Sequence, residues 1–157
     1  MGKLVCIVRI LAVDPGDRTG LATYNTETHE FRSWEVASID TMLSTVCRRI
    51  ANHQIELVIV ENFIIHADTC KKKKPERLPL EMIGAIRWMC YECQMKLILQ
   101  TPSQKDWMDD DKLKRLGWYK GSSVSLDTEG HADDAARHLG VYLGVTRQER
   151  DFLRRLV

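Results

Sequence analysis

The stretch that decides the fold is Ile10-Leu11-Ala12-Val13-Asp14-Pro15-Gly16, an apolar strand that stops abruptly at an acid and a turn. A second stretch, Leu57-Val58-Ile59-Val60-Glu61, has the same form, and its apolar run is typical of a strand buried on both faces. The third segment, His131-Ala132-Asp133-Asp134-Ala135, predicts the start of a helix. Two parallel strands and this helix can bring four candidate metal ligands into one cluster: Asp14, Glu61, His131 and Asp134.

The predicted cluster is rich in carboxylate oxygens, which suit hard divalent cations such as Mg²⁺. Pairs of these ions, roughly 4 Å apart, are widely used to cut phosphodiesters. Asp14 also has a purely structural interpretation, since Asp-Pro-Gly is good turn chemistry. Glu61 is harder to explain in that way, because a buried acid without a partner is strongly destabilising. The sequence therefore predicts a metal site at the ends of two strands.

Helical geometry ranks the polar residues of the third segment. Positions 131, 134 and 138 share one face, whereas Asp133 points about 100° away. We therefore assign His131 and Asp134 to the cluster and expect Asp133 to be a solvated acid favoured by the helix dipole. His138 lies one turn further along, and we expect it either to support the site or to lie at the surface.

The order of elements predicts an α/β fold. Further strands are expected at residues 21–25, 31–36 and 96–101. Five helices are expected. The first is capped by Asp40, the second covers residues 80–94, and the third runs from Ser103 to about Leu116. The fourth starts at His131 and the fifth starts after Thr146. Right-handed crossovers then give a five-stranded mixed sheet in the order 3-2-1-4-5, flanked by helices. Open α/β sheets bind ligands at the switch between strands 1 and 4, where Asp14 and Glu61 lie.

Composition limits the class of protein. The chain has 157 residues, which predicts one domain spanning 1–157. Charged residues make up 29% and the net charge is +1, so any nucleic-acid binding must come from local patches. The apolar run at residues 4–13 is too short to span a bilayer and shows no cleavage signal. We therefore expect a cytoplasmic protein without a membrane partner.

Two basic segments are candidates for DNA contact. Lys71, Lys72, Lys73 and Lys74 follow the Glu61 strand by ten residues, and phosphate contact by such side chains is the main source of nucleic-acid affinity. The second segment begins at Lys105, and its aromatic residues include Trp107, which fits stacking on unpaired bases. A solvated loop and core packing, respectively, are the alternative interpretations.

The pair Cys90 and Cys93 also has two interpretations. Both can lie on the apolar stripe of a helix with Ile83 and Ile86, which is the interpretation we favour. Zinc binding would need His66 and Cys70 from upstream, and structural zinc sites usually show two matched ligand pairs. The odd total of five cysteines does not indicate a disulfide framework.

Taken together, the motifs resemble those of the RuvC-type Holliday junction resolvases of the RNase H-like superfamily, including versions encoded by bacteriophages. The motifs that carry the resemblance are Leu-Ala-Val-Asp14-Pro-Gly with Thr19-Gly20, then Val-Ile-Val-Glu61, then His131-Ala-Asp-Asp134-Ala. The order of elements matches over nearly the whole chain. The resemblance implies an RNase H-like fold and a bacterial cytoplasm or a phage-infected cell as the location.

The resemblance also implies an activity. It implies a homodimer that makes paired nicks in a four-way DNA junction with Mg²⁺, for which Mn²⁺ can substitute, bound by Asp14, Glu61, His131 and Asp134. Relatives carry an aromatic residue just after the catalytic Glu for contact with the junction, and Phe63 is the candidate here. The long lysine loop departs from the cellular pattern, so preference for junctions over flaps, forks or single strands stays open.

Three alternatives remain at the level of sequence. A broader RNase H-like nuclease would use the same cluster. A non-catalytic DNA-binding relative would be expected to lack a carboxylate, and none is missing. Asp14 to Gly20 also resembles the first phosphate loop of the actin and sugar-kinase group, although that group needs two such domains. For the homodimer, we expect contact through the helix at 80–94, which displays Met82, Ile83, Ile86, Trp88, Met89 and Tyr91.

Overall fold

The computed structural model describes residues 9–63, 77–121, 130–147 and 149–156. Its five strands are β1 (Arg9–Asp14), β2 (Thr19–Asn25), β3 (Phe31–Val36), β4 (Leu57–Glu61) and β5 (Lys96–Gln100). Its α-helices are α1 (Ile39–Ala51), α2 (Leu78–Glu92), α3 (Asp110–Leu116), α4 (His131–Val141) and α5 (Arg150–Arg154). A 3-10 helix spans Pro102–Trp107, and a π-helical turn at Tyr142–Thr146 extends α4.

The strands form one mixed sheet in the order β3-β2-β1-β4-β5, as the sequence predicted. β1 and β2 are antiparallel, and so are β2 and β3, whereas β4 is parallel to both β1 and β5. The central strands β1 and β4 are buried along almost their entire length, which explains their continuous apolar sequences. Asp14 and Glu61 end these two strands at their shared carboxyl edge.

Alternation along β1 sends side chains to two core layers. Ile10 and Ala12 face α4 and the aromatic ring of Trp118. Leu11 and Val13 face the layer beneath α1 and α2. Helices therefore cover both faces of the sheet.

Several predicted element ends were wrong by a few residues. The cap of α1 is Ser38, whose hydroxyl accepts from the Thr41 N–H, and Asp40 instead occupies the first turn. Strand β2 begins at Thr19, two residues before the predicted start at residue 21. The single charged helix expected from Ser103 is two elements, because Asp109 caps α3 separately with its side chain and interrupts the path from the 3-10 helix. Gly117 ends α3 in a left-handed conformation, as predicted.

Helix α2 buries more of its apolar residues than it exposes. Met82, Ile83 and Ile86 pack into the core, so the expectation that they extend the displayed surface was wrong. Trp88 is 64% exposed and Tyr91 is 80% exposed on the opposite face. Packing of Cys90 in the core is confirmed, whereas Cys93 is exposed, so the predicted shared stripe was only half right.

Gly20 in β2 allows α4 to approach the sheet very closely. A Cβ atom at this position would lie 1.8 Å from the carbonyl oxygen of His131 and 2.3 Å from its carbonyl carbon. Gly20 is also the antiparallel partner of Asp14. The absence of a side chain therefore sets how close the start of α4 comes to the end of β1.

Some sequence predictions concern other parts of the chain. The lysine loop at positions 71–74 and the additional zinc ligands His66 and Cys70 lie outside the described residues. Within the described ranges, no helix has both the length and the apolar character needed to cross a bilayer.

Candidate active site

The two strand-end carboxylates lie side by side. Asp14 is the last residue of β1 and Glu61 the last of β4, and the parallel register pairs the preceding residues Val13 and Val60. Neighbouring strands lie roughly 4.8 Å apart, which puts both acids on one local surface. The predicted convergence of two strand ends therefore has the expected geometry.

Asp14 is held by the first residue of α4. Its Oδ2 lies 2.8 Å from Nδ1 of His131, and Asp14 is only 4% exposed. Burial raises the pKa of the Asp14 carboxyl, and the hydrogen bond with His131 offsets only part of that effect. The nearby charge of Glu61 raises this pKa further. A cation that entered the site would therefore relieve a destabilised negative charge.

Lys105 joins the other two carboxylates. Its Nζ donates to Oε2 of Glu61 at 3.0 Å and to Oδ2 of Asp134 at 2.7 Å. The lysine comes from the 3-10 helix that follows β5, and its side chain is 22% exposed. Burial disfavours its charged form, but the hydrogen bond to Asp134 and the neighbouring acids outweigh burial and raise the pKa of Lys105. The sequence predicted that Lys105 contacts DNA, and in the structure its ammonium group lies between the carboxylates of Glu61 and Asp134.

The other oxygen of Asp134 is also held by a cation. Arg137, one turn along α4, donates from Nη1 to Oδ1 of Asp134 and from Nη2 to Asp110 at the start of α3. Asp134 thus receives a separate charged donor on each carboxylate oxygen. This arrangement fixes its orientation without a metal ion.

Glu61 receives a second donor from α4. Nε2 of His138 lies 2.6 Å from Oε2 of Glu61, and Nδ1 lies 2.7 Å from Oε1 of Gln100. Burial alone would raise the pKa of Glu61, but the hydrogen bonds from His138 and Lys105 outweigh it, so the pKa is lowered. His138 is therefore a supporting residue of the site and not a surface histidine.

The expectation for Asp133 was wrong. Asp133 is 4% exposed, and its two oxygens accept from the backbone N–H groups of Lys120 and Gly121, each at 3.0 Å. Angular reasoning correctly separated it from Asp134, but it assumed that the other face was solvated. The segment after Trp118 covers that face, so Asp133 anchors a neighbouring segment.

The donor set fits a hard divalent cation by its chemistry, since it offers carboxylate oxygens and one imidazole. In the described part of the chain, no three His, Cys, Asp or Glu side chains stand close enough together to hold an ion as they are arranged here. The ammonium group of Lys105 lies between Glu61 and Asp134 and gives both acids a cationic partner in this structure.

The aromatic candidates lie in different surroundings. Phe63, two residues after Glu61, is partly buried against the core layer beneath α1 and α2. Trp107 is partly exposed, lies under the ammonium group of Lys112, and packs where a side chain at position 144 would otherwise be. Their predicted contacts with DNA stay predictions.

Sequence reasoning missed two residues that shape the site. Arg137 follows Asp134 by three residues, a spacing that could have indicated a helical ion pair. Gln100 pairs in register with Glu61 across β4 and β5, which only the sheet alignment reveals. Neither residue belongs to a recognisable motif.

Solved structures of Holliday junction resolvases are similar to this chain in fold. T. thermophilus RuvC in complex with Holliday junction substrate has a TM-score of 0.61 at 14% identity, with 90% of this chain and 96% of that chain covered. The Fowlpox virus Holliday junction resolvase has a TM-score of 0.53 at 16% identity, with 89% and 99% covered. The Fowlpox virus resolvase in its complex with Holliday junction DNA has a TM-score of 0.51 at 17% identity, with 89% and 97% covered.

These similarities establish the class of fold. The chain has the RuvC-type, RNase H-like fold that its motifs predicted, with the sheet order and flanking helices described above. No protein-family model matches the sequence, and a search of curated proteins gives no match.

Proposed function

We propose that this protein is a divalent-metal-dependent endonuclease that resolves four-way DNA junctions by paired nicking. The observation that carries the proposal is the meeting of Asp14, Glu61, Asp134 and His131 at the carboxyl ends of β1 and β4 and the start of α4. This arrangement occurs within the fold of resolvases that have been solved with junction DNA. We further propose that residues 1–157 form a single nuclease domain.

Asp14, Glu61, His131 and Asp134 would hold the metal. Bound Mg²⁺ or Mn²⁺ ions, two per site, would supply a Lewis acid and neutralise charge at the scissile phosphate. His131 donates a hydrogen bond to Asp14 and holds that carboxylate toward the site. Lys105 pairs with Glu61 and Asp134 in this structure, and if a metal took its place, its ammonium group would be available to contact the DNA backbone.

The bridging lysine also favours a second candidate. A non-catalytic junction-binding relative could use Lys105 permanently in place of a metal ion, since both carboxylates already have a cationic partner. The partial exposure of Lys105 argues for withdrawal, because a route to solvent is open to its side chain. Cleavage separates the two candidates directly.

The decisive experiment uses a labelled four-way junction with purified protein in Mg²⁺, in Mn²⁺ and in EDTA. We expect paired nicks with 5′-phosphate ends in either metal and none in EDTA. Asp14→Asn and Glu61→Gln should lose at least about 100-fold in cleavage while binding the junction, because removal of one acid reduces repulsion of DNA. Linear duplex and flap substrates serve as specificity controls. Wild-type protein that binds the junction without cutting it in either metal would instead support the non-catalytic candidate.

We further propose a homodimer, since two sites related by a twofold axis match the near symmetry of a four-way junction. The face of α2 that carries Leu80, Trp88 and Tyr91 is the candidate contact, because these residues recur at helical spacing and are exposed. Interfaces are enriched in aromatic residues of this kind. The proposed occupant of this face is a second copy of the same helix.

The lysine loop at 71–74 is proposed to hold the DNA arms. Its side chains would contact phosphates, which position a protein on DNA without reading its sequence. Replacement of all four lysines by alanine should weaken junction binding and reduce its dependence on salt, because fewer counterions are released. Unchanged affinity and salt dependence would leave DNA contact to the segment that begins at Lys105.

A further inference from the structure

His138 is a buried, ionisable side chain to which the proposed mechanism gives no role. It is completely buried in α4, one turn beyond Asp134. Burying a histidine is energetically unfavourable unless it is hydrogen-bonded, because its ring nitrogens lose their hydrogen bonds to water. An apolar residue would fill the same space without that requirement. Its two partners therefore indicate what it contributes.

The two partners of His138 form a chain that ends at the site. Gln100 is buried at the end of β5 and lies 2.7 Å from Nδ1, while Glu61 at the end of β4 lies 2.6 Å from Nε2. Gln100 and Glu61 are also paired in the parallel register of the sheet. The imidazole therefore bridges the ends of two neighbouring strands from the helix above them.

Both donors to Glu61 reach the same carboxylate oxygen. Oε2 accepts from His138 and from Lys105, whereas no described residue donates to Oε1. A carboxylate held at one oxygen cannot rotate freely, so its second oxygen keeps one direction. The hydrogen-bonding partners of a metal-binding carboxylate commonly have this orienting effect.

The two donors differ in how they can respond to a metal. Lys105 is partly exposed and lies between Glu61 and Asp134, so an entering cation would displace it. His138 has no exposed surface and approaches Glu61 from inside the core. The hydrogen bond from His138 can therefore persist when the lysine has left.

We infer that His138, oriented by Gln100, is a positioning residue that holds the Glu61 carboxylate in place for metal binding. The inference rests on the proposed function, since it assigns Glu61 to the metal. His138 itself touches neither the metal nor the DNA. Gln100 acts only through His138 and so contributes less.

A matched pair of substitutions separates hydrogen bonding from packing. In His138→Gln, the amide nitrogen can take the place of Nε2 and still donate to Glu61. In His138→Asn, the shorter side chain can reach Gln100 but not Glu61. Both variants keep a buried polar side chain but differ by one methylene group, so thermal unfolding must measure the difference in packing separately from the difference in metal binding.

The primary measurement is Mn²⁺ binding to the full chain on a four-way junction, followed by electron paramagnetic resonance, with thermal unfolding as a check of the fold. We expect His138→Asn to weaken Mn²⁺ binding by at least about tenfold, and His138→Gln to stay within about threefold of wild type. Cleavage at limiting Mn²⁺ should follow the same order and converge at saturating Mn²⁺. Gln100→Met should have a smaller effect, and none when His138→Asn is already present.

Two results would overturn the inference. If His138→Asn binds Mn²⁺ as tightly as wild type, the hydrogen bond does not position Glu61. If the Asn and Gln variants are equally impaired, packing and not the donor explains the histidine. Should His138→Asn fail to fold, Gln100→Met decides, and unchanged Mn²⁺ affinity in that variant rejects the inference. Failure of the wild-type protein to bind Mn²⁺ or to cut would reject the proposed function instead.

Discussion

Replacement of Gly20 by alanine should disable the site without touching any of its polar residues. The added Cβ would lie 1.8 Å from the carbonyl oxygen of His131, whereas ordinary contacts begin at 3.4 Å. The start of α4 must therefore move away from β2 by up to 1.6 Å, the difference between these distances. His131 and Asp134 would move with it, away from Asp14 and Glu61.

The expected loss follows from this displacement. A misplacement of about 1 Å can cost roughly 100-fold in rate, so we expect cleavage by Gly20→Ala to fall by at least about that factor. Overpacking of a tight contact should also lower the free energy of unfolding by about 1–3 kcal/mol. Binding to the junction should change much less, because Gly20 is buried beneath α4 and contributes no phosphate contact.

The assay is single-turnover cleavage of a labelled junction at saturating protein, with thermal unfolding measured in parallel. Gly84→Ala is the matched control, since nothing lies within 4 Å of a Cβ at that position and alanine is the better helix former. Gly84 lies near Trp88 on the outward face of α2, which is the proposed dimer contact. The Gly84→Ala protein must therefore also have the same mass in solution as wild type. A folded Gly20→Ala protein that cuts within threefold of wild type would refute the reasoning that this close approach sets the site geometry.

Three further outcomes are expected. Asp134→Asn should lose cleavage with little loss of stability. Asp133→Asn should lose about 1–3 kcal/mol in the free energy of unfolding, because the Asp133 carboxylate accepts from two backbone N–H groups. Nicking and melting assays on both variants would reveal a reversed ranking. In EDTA, the Glu61 carboxylate stabilises the fold above its ordinary pKa of 4.5, and this stabilisation is lost as the pH falls through its lowered pKa, so Glu61→Gln should remove it. Asp14→Asn should instead stabilise the protein near neutral pH, because the pKa of Asp14 is raised and its charged form is unfavourable in the folded protein. Thermal melting between about pH 3 and 7 checks both signs. Trp88→Ser should halve the mass in solution at micromolar concentration, and a wild-type protein that is already monomeric would contradict the proposed dimer.

The strands were predictable because each is defined by its own local sequence. Apolar runs that stop at Asp14 and Glu61 have one consistent interpretation as buried parallel strands, and right-handed crossovers then limit the sheet order. Helix ends were less predictable, since several polar residues compete for each cap. Ser38, and not the predicted Asp40, caps α1. Asp109 caps α3, so the predicted single helix after β5 is two separate elements.

The sequence alone identified the candidate metal ligands. Carboxylates at strand ends and a His-Asp pair on one helical face depend only on chain direction and periodicity, and these are local properties. The placement of His138 on the same helical face as His131 and Asp134 was also predictable, because positions 131, 134 and 138 repeat at helical spacing.

Only the tertiary structure decided what each of these side chains contacts. Lys105 lies between Glu61 and Asp134 because the segment after β5 crosses the carboxyl edge of the sheet, and Gln100 reaches His138 because β4 and β5 pair in one particular register. Asp133 is buried because the segment at Lys120 and Gly121 covers a face that periodicity alone left exposed. Each of these contacts joins different elements of the fold, and the packing that brings such elements together leaves no local pattern in either one.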